Sequence, residues 1–94
     1  MNFYVYLICS KNNDNHLISY VGYTNNLKNR IEKHNSSKGA KFTRGKKWFV
    51  IYKKSYNSKS IAMKEEYKLK KNFKLRSKIK HNYLKNENIH TSSL

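Results

Sequence analysis

The chain has 94 residues, with 21 lysines and arginines against five aspartates and glutamates, which gives a formal net charge of +16. This length accommodates one domain with a modest core, and no segment approaches the roughly 20 apolar residues of a membrane helix. The single cysteine, Cys9, excludes an internal disulfide and a cysteine-based zinc module. We therefore expect an intracellular, cytoplasmic protein, or a nuclear or viral-factory one if its source is a eukaryote or a virus.

The shortage of acidic residues predicts an anionic partner. AT-rich codon usage accounts for part of the lysine content but not for the small number of acidic residues. The excess positive charges repel one another, and a protein with so large a net charge usually binds an anionic ligand. We expect DNA ahead of RNA, and no membrane. A membrane surface or an acidic protein is a weaker explanation of the same charge, and a protein partner or a homodimer stays open.

The first part of the chain is expected to form a β-hairpin followed by a helix. Residues 3–9 are aromatic and β-branched, which favours a buried strand, and residues 17–23 form a second strand after a short polar connection. The segment 24–26 consists of helix N-cap residue types, and residues 27–35 then follow helical spacing, with apolar residues four positions apart.

A third strand is expected after a polar loop over residues 36–46. Residues 47–56 alternate in a way that is typical of a strand, with Trp48, Val50 and Tyr52 on one face.

Two more helices are expected in the remainder of the chain. Residues 57–60 cap a second helix that runs to about Phe73, and a third helix runs over about 75–84, leaving residues 85–94 as a polar, disordered tail. The order β-β-α-β-α-α predicts an α+β fold, a three-stranded antiparallel sheet flanked by three helices, in one domain over residues 1–84.

Glu66 lies where a charge is unexpected. It falls within the apolar stripe of the second helix, which consists of Ala62, Glu66, Leu69 and Phe73. A carboxylate in such a stripe is costly unless it is paired or bound to a metal. It is either paired with a lysine at the edge of the stripe or directed into a cleft as a metal ligand or a base.

Arg30 and His34 are four positions apart and so share one face of the first helix, at the border of its apolar stripe. Arginine grips a phosphate with paired hydrogen bonds, and histidine moves protons near neutral pH. Either residue could instead be a solvated helix residue. The tyrosines of the first two strands, which include Tyr6 and Tyr20, favour sheet packing, although a phenol beside cations can also serve as a base.

Together these motifs resemble those of the GIY-YIG nuclease superfamily, in its short standalone branch that is similar to the N-terminal domain of UvrC. The first motif, Gly-Ile-Tyr, is matched loosely by Val5-Tyr6-Leu7 or, in register, by Tyr4-Val5-Tyr6, which lacks the glycine, and the second, Tyr-Ile-Gly, is matched by Tyr20-Val21-Gly22. The family's helix arginine, the histidine or tyrosine after it and the metal-binding glutamate fall on Arg30, His34 and Glu66. The resemblance covers about residues 3–80, including a loop at 38–45.

The resemblance implies a metal-dependent DNA endonuclease that hydrolyses phosphodiester bonds, and a structure-specific role in repair or recombination is compatible with it. It implies one divalent metal, Mg²⁺ ahead of Mn²⁺, on Glu66, with Arg30 on the scissile phosphate. Tyr6 or Tyr20, with His34, would activate the attacking water.

Non-specific affinity for the DNA backbone is expected from four basic residues of the loop before the third strand, Lys41, Arg44, Lys46 and Lys47. The alternative is a non-catalytic basic DNA- or RNA-binding domain on the same fold, which the missing first glycine favours. A ribosome-associated basic protein is a third option. Glu66 favours the enzyme, because an anion binder gains nothing from an acid in its cleft.

Overall fold

The computed structural model describes residues 2–12 and 16–92, with side chains described as far as residue 86. Within these residues the strands are β1 Phe3–Lys11, β2 Leu17–Thr24 and β3 Phe49–Tyr56. The helices are α1 Leu27–Asn35, α2 Lys59–Lys71 and α3 Phe73–Ser92, and a 3-10 turn at Lys41–Thr43 lies between α1 and β3. The predicted α+β order of strands and helices is therefore confirmed.

The strands form one antiparallel sheet in the order β2-β1-β3. Strand β1 is central, and its residues 5–10 are all buried. Cys9 is among them, and burial raises the pKa of its thiol to about 11. A thiol that stays protonated at neutral pH is a core residue and not a nucleophile.

The sheet carries a core on each face. On one face, here called the α2 face, the buried residues are Val5, Leu7, Val21, Ala62 and Leu69. On the opposite face, called the α1 face, the buried residues are Tyr6, Ile8 and Trp48, with Leu27 and Ile31 of α1 packed against them. The predicted packing of helices around the sheet follows from this alternation, because successive side chains of β1 point to opposite faces.

Strand β3 departs from the predicted alternation. Its register with β1 shifts between Leu7 and Ile8, so that Leu7 pairs with Tyr52 but Ile8 pairs with Val50. The extra residue places Val50 in the core of the α1 face and Tyr52 in that of the α2 face. The prediction that these two share a face is wrong because a β-bulge changes the side on which later residues lie.

Both predicted helix caps are present. The side chain of Asn26 accepts a hydrogen bond from the backbone nitrogen of Asn29 at 3.1 Å, and that of Ser58 accepts one from Ile61 at 3.4 Å. These bonds satisfy backbone donors that have no partner within the helix.

Helix α2 ends earlier than its apolar pattern predicts. Ala62 and Leu69 are buried as expected, but Asn72 interrupts the helix and caps α3 by accepting from the backbone nitrogen of Leu75 at 3.0 Å. Phe73 therefore begins α3 and is 70% exposed, so its assignment to the buried stripe is wrong.

Helix α3 packs on β3, where Tyr83 stacks against Phe49 with ring centroids 5.5 Å apart. It continues to Ser92, past the predicted end near Leu84. Part of the predicted tail is thus helical, residues 93–94 lie outside the described residues, and the domain boundary at residue 84 remains a prediction. No helix in the described part of the chain is long and apolar enough to cross a membrane.

Candidate active site

The candidate site is centred on Tyr6, which is fully buried in the central strand. Tyr6 pairs with Gly22 of β2, and its ring lies across that glycine. A Cβ at position 22 would lie 2.5 Å from the Cζ of Tyr6, closer than any side chain tolerates. Glycine at this position therefore lets the phenol cross β2, and it is the glycine of the second sequence motif.

The hydroxyl of Tyr6 is hydrogen-bonded to Nε2 of His34 at 2.9 Å. His34 projects from the last turn of α1 and is fully buried, deeper than its predicted place at the border of the apolar stripe. On the other side of the ring, Nδ1 is 2.9 Å from Oγ1 of Thr43, whose own hydroxyl donates to the carbonyl of Ala40 at 2.8 Å.

These contacts fix the direction of every proton in the chain of hydrogen bonds. The hydroxyl proton of Thr43 is given to Ala40, so Oγ1 of Thr43 accepts from Nδ1–H of His34. Burial, with the nearby charge of Arg30, lowers the pKa of His34 to about 4, so the ring is neutral at pH 7. Its Nε2 then carries a lone pair and accepts the proton of Tyr6. The result is a proton acceptor held directly behind a phenol.

The loop after α1 closes over His34. A Cβ on Gly39 would lie 2.6 Å from Nδ1 of His34 and 3.1 Å from its Cα, so only glycine allows this approach. The loop is tied to the core by Trp48, whose Nε1 donates to the carbonyl of Thr43 at 2.9 Å. Asn35, at the end of α1, clamps the backbone of Trp48 by accepting from its nitrogen at 2.6 Å and donating to its oxygen at 3.1 Å.

Tyr20 forms the outer wall of the site. Its ring meets that of His34 edge to face, with centroids 5.2 Å apart, and stacks on Phe42 at 6.2 Å. Tyr20 is partly exposed, whereas Tyr6 is fully buried. Tyr6 and Tyr20 lie on the α1 face, while Tyr23 packs against the core of the α2 face, away from this wall.

Arg30 lies beside the buried phenol. Burial raises the pKa of Tyr6, and a hydrogen bond and positive charge from Arg30 act in the opposite direction without cancelling it. Arg30 is half-buried on α1, one turn before His34. The helix thus brings a guanidinium and an imidazole to the same hydroxyl.

Glu66 lies on α2, which packs on the other face of the sheet. Its charge also raises the pKa of Tyr6, which puts the carboxylate in the same electrostatic neighbourhood. The side chain is 17% exposed and forms an ion pair with Lys70 at 3.5 Å. Its neighbour Glu65, paired with Lys68, is twice as exposed at 34%. The lysine partner that the sequence left open is therefore present, and the role of Glu66 as a metal ligand or base stays a prediction.

The side chains available as metal ligands would suit only a metal ion that retains much of its water. No group of three or more histidine, cysteine, aspartate or glutamate side chains is arranged to hold a metal among the residues that the structure describes. A lone carboxylate fits Mg²⁺, which keeps several waters and takes further oxygens from phosphate. Glu66 is the carboxylate that could hold such an ion.

Comparison with known proteins identifies the family of this chain. A profile described as the GIY-YIG catalytic domain matches residues 2–82. The chain belongs to the GIY-YIG family. The resemblance inferred from Tyr20-Val21-Gly22, Arg30, His34 and Glu66 is thereby confirmed, and membership of this nuclease superfamily supports a nuclease-like function.

The relatives of this GIY-YIG domain are short proteins named UPF0213. One from Pediococcus pentosaceus is 40% identical over 94 residues, 98% of this chain and 90% of that protein. One from Staphylococcus haemolyticus is 44% identical over 68 residues, 71% of this chain and 78% of that protein. One from Oceanobacillus iheyensis is 54% identical over 52 residues, and there the match spans 60% of the relative's length.

A solved relative is the UPF0213 protein of Bacillus halodurans, known from a solution NMR structure. It is 37% identical, the match covers 83% of this chain and 80% of that chain, and the TM-score is 0.45.

The predicted DNA-contact residues of the GIY-YIG domain lie in the loop over residues 38–47, here called the basic loop. Lys41, Arg44, Lys46 and Lys47 are all exposed. Lys46 lies over the ring of Phe42, 5.4 Å from its centroid. A groove of about 520 Å³ runs from this loop to the end of β1, with Lys11, Lys46 and Lys47 along it. The positive charge of the loop therefore borders the Tyr20 wall of the site.

Sequence reasoning missed two members of the site. Thr43 gave no signal beyond its place in the loop at 38–45 that resembles one of the family, because its importance depends on a contact with His34 nine residues earlier. Gly39 was part of the same loop, and a glycine between polar residues usually indicates only a turn. Spacing alone could not have found either contact.

Proposed function

We propose that this protein is a metal-dependent endonuclease that hydrolyses phosphodiester bonds in DNA. The observation that carries the proposal is the hydrogen-bond chain Tyr6–His34–Thr43, with bonds of 2.9 Å on both sides of the imidazole. A neutral histidine that accepts from a phenol is the arrangement of a general base with its proton relay.

In the proposed reaction, Tyr6 takes a proton from the attacking water as its own proton passes to Nε2 of His34. The buried phenol has a raised pKa and would not ionise alone. A concerted transfer avoids a free phenolate. Protonating a histidine with a pKa of about 4 at pH 7 costs about 4 kcal/mol, and negative charge arriving with the scissile phosphate offsets part of that cost.

Arg30 would hold the scissile phosphate and orient it. Its guanidinium acts on the Tyr6 hydroxyl, so a phosphate gripped by Arg30 lies next to the group that activates water. Charge growing on phosphorus during attack would be stabilised by the same fixed cation.

Glu66 would hold a single divalent ion, most simply Mg²⁺. When bound, such an ion supplies Lewis-acid stabilisation of the phosphate and of the leaving oxygen. Glu66 must exchange its ion pair with Lys70 for this, and Lys70, 53% exposed on its side chain, is free to turn toward solvent or DNA. A structure-specific role in repair or recombination would extend the same proposal.

The proposal is tested by a plasmid-nicking assay with the pure protein. We expect nicking with Mg²⁺ or Mn²⁺ and none with EDTA. Glu66→Gln should lower the rate by a factor of about 100 or more, whereas Glu65→Gln, on the next residue and with its own lysine partner, should leave it unchanged. If the plasmid stays intact with either metal, the protein is a non-catalytic binder on the same fold.

A further inference from the structure

Two aromatic rings stand exposed where α2 meets α3. Tyr67 is 61% exposed and Phe73 is 70% exposed, and among the described residues they are the two most exposed large hydrophobic side chains. They line an open cleft of about 710 Å³ whose other lining residues are Lys68, Lys71, Asn72 and Lys74. We call these six residues the α2–α3 patch. Exposed apolar area that is clustered in this way indicates a binding surface.

The junction under the patch is held rigidly. Asn72 caps α3, and Arg76 donates from its guanidinium to the backbone oxygen of Leu69 at 3.0 Å and to that of Lys70. Arg76 thereby adds a donor at the end of α2, where the carbonyl of Leu69 also accepts from the backbone nitrogen of Asn72 at 3.2 Å. Because both rings project from fixed helix ends, a ligand that covers them orders little of the chain on binding.

Cations accompany both rings. Nζ of Lys71 lies over Tyr67, 5.5 Å from its centroid, and the guanidinium carbon of Arg76 lies 5.9 Å from the centroid of Phe73. The partner that suits this surface is anionic and presents flat rings. A second copy of this chain would bring another +16 against the same lysines, and it is disfavoured as the occupant for that reason.

We propose that the α2–α3 patch binds unpaired nucleotides of single-stranded DNA by stacking bases on Tyr67 and Phe73. Bases stack on exposed aromatic side chains, and neighbouring lysines contact the phosphates between them. A duplex hides the faces of its bases, so it can use the lysines but not the rings. The patch therefore selects a strand with unpaired bases.

The patch shares helix α2 with Glu66, the proposed metal ligand. Glu66 immediately precedes Tyr67, and Lys70, its ion-pair partner, immediately precedes Lys71. If the proposed cleavage holds, the substrate class is DNA that contains a single-stranded segment; the binding itself does not depend on cleavage.

Fluorescence anisotropy with labelled oligo-dT of about 12 nucleotides, and with a duplex of the same length, tests the proposal in EDTA. We expect Tyr67→Ala and Phe73→Ala each to weaken oligo-dT binding about tenfold while duplex binding changes less than about twofold. Tyr67→Phe, which keeps the ring, should bind as the wild type does. Ile61→Ala and Met63→Ala are matched controls, since both side chains are exposed, apolar and on α2, and both should leave binding unchanged.

Equal losses on oligo-dT and on duplex would overturn the proposal, because they would show a basic surface without stacking. Unchanged oligo-dT binding in the Tyr67→Ala and Phe73→Ala double variant would overturn it too, as would a wild-type dimer that the double variant loses in sedimentation. In the wild type, amide NMR shifts on adding oligo-dT should centre on residues 67–74, and shifts elsewhere alone would contradict the proposal.

The two proposals fail separately. If the protein nicks plasmid but its Tyr67 and Phe73 variants bind oligo-dT as the wild type does, the proposed function stands and the proposal for the α2–α3 patch fails. A protein that never nicks, yet loses oligo-dT binding with the rings, has the patch without the proposed activity.

Discussion

Nδ1–H of His34 donates to Oγ1 of Thr43 over 2.9 Å, and this bond sets which ring nitrogen is left to accept from Tyr6. Thr43 belongs to the basic loop, whose exposed lysines and arginine are expected to touch DNA. A loop that we propose to contact DNA thus also fixes the tautomer of the histidine behind the phenol.

Replacing Thr43 by valine should impair the site more than it impairs the fold. Valine keeps the shape of the side chain but removes the acceptor, which leaves Nδ1–H of His34 buried without a partner and costs about 1–3 kcal/mol. We expect the nicking rate to fall more than about tenfold, and Thr43→Ser to restore most of it. Urea unfolding and plasmid nicking measure the two effects, and a valine variant with wild-type activity would show that the tautomer is set elsewhere.

Stability should decrease in acid because of His34. Its pKa is lowered from 6.5 to about 4 in the fold, so the unfolded chain binds a proton that the folded chain excludes between these values. The stabilisation is therefore complete above pH 6.5 and is lost as the pH falls toward 4, a loss of about 3 kcal/mol. Urea midpoints from pH 7 to pH 4 should show it, and His34→Asn should flatten the dependence. The matched control is His81→Asn, the same substitution at an exposed position.

Removing Arg30 should change the pKa values of both of its neighbours. Its charge lowers the pKa of His34, in the same direction as the larger effect of burial, and lowers that of Tyr6 against the larger, opposite effect of burial. Arg30→Ala should therefore raise both, which NMR titration of the two rings detects, and the nicking rate should fall by a factor of about 100. Lys28→Ala, at an exposed position of the same helix, should change neither the two pKa values nor the nicking rate. An alanine variant that cuts normally would rule out the phosphate role.

A methyl group at Gly22 should displace Tyr6. Its Cβ would lie 2.5 Å from the Cζ of the phenol and would force the ring away from His34. We expect a loss of about 1–3 kcal/mol of stability together with most of the nicking activity. Gly45, where a Cβ meets nothing within 4 Å but φ is +73°, provides the comparison. Gly45→Asn, which tolerates that backbone, should leave activity near that of the wild type. Equal activity of the two variants would contradict the packing argument.

The basic loop should contribute salt-dependent, sequence-independent affinity. Each lysine or arginine that neutralises a phosphate adds about −0.9 to the slope of log binding constant against log salt concentration. Single alanine changes at Lys41, Arg44, Lys46 and Lys47 should each make that slope shallower by up to about this amount, as fluorescence anisotropy on duplex DNA at several salt concentrations measures. If none of the four substitutions alters the slope, the DNA binds on another face of the protein.

The sequence by itself determined the local structure and the chemistry available. Aromatic and β-branched runs, cap residues and helical spacing predicted the elements in order, because these signals act within a few residues of the chain. The same is true of Tyr20-Val21-Gly22 and of the shared face of Arg30 and His34. Glu66 was conspicuous because a charge in an apolar stripe breaks a local rule.

Only the tertiary structure decided how these residues meet. The bulge in β3 placed Val50 and Tyr52 on opposite faces of the sheet, because one inserted residue changes the face on which the later side chains lie. Asn72 interrupted the helix and left Phe73 exposed, so the helical spacing no longer applied to it. The partnership of Tyr6, His34 and Thr43 joins β1, α1 and the basic loop across 28 and nine residues of sequence. Burial, which removes water from all three, keeps the histidine neutral, and the bond from Thr43 to Ala40 gives the chain of hydrogen bonds its direction.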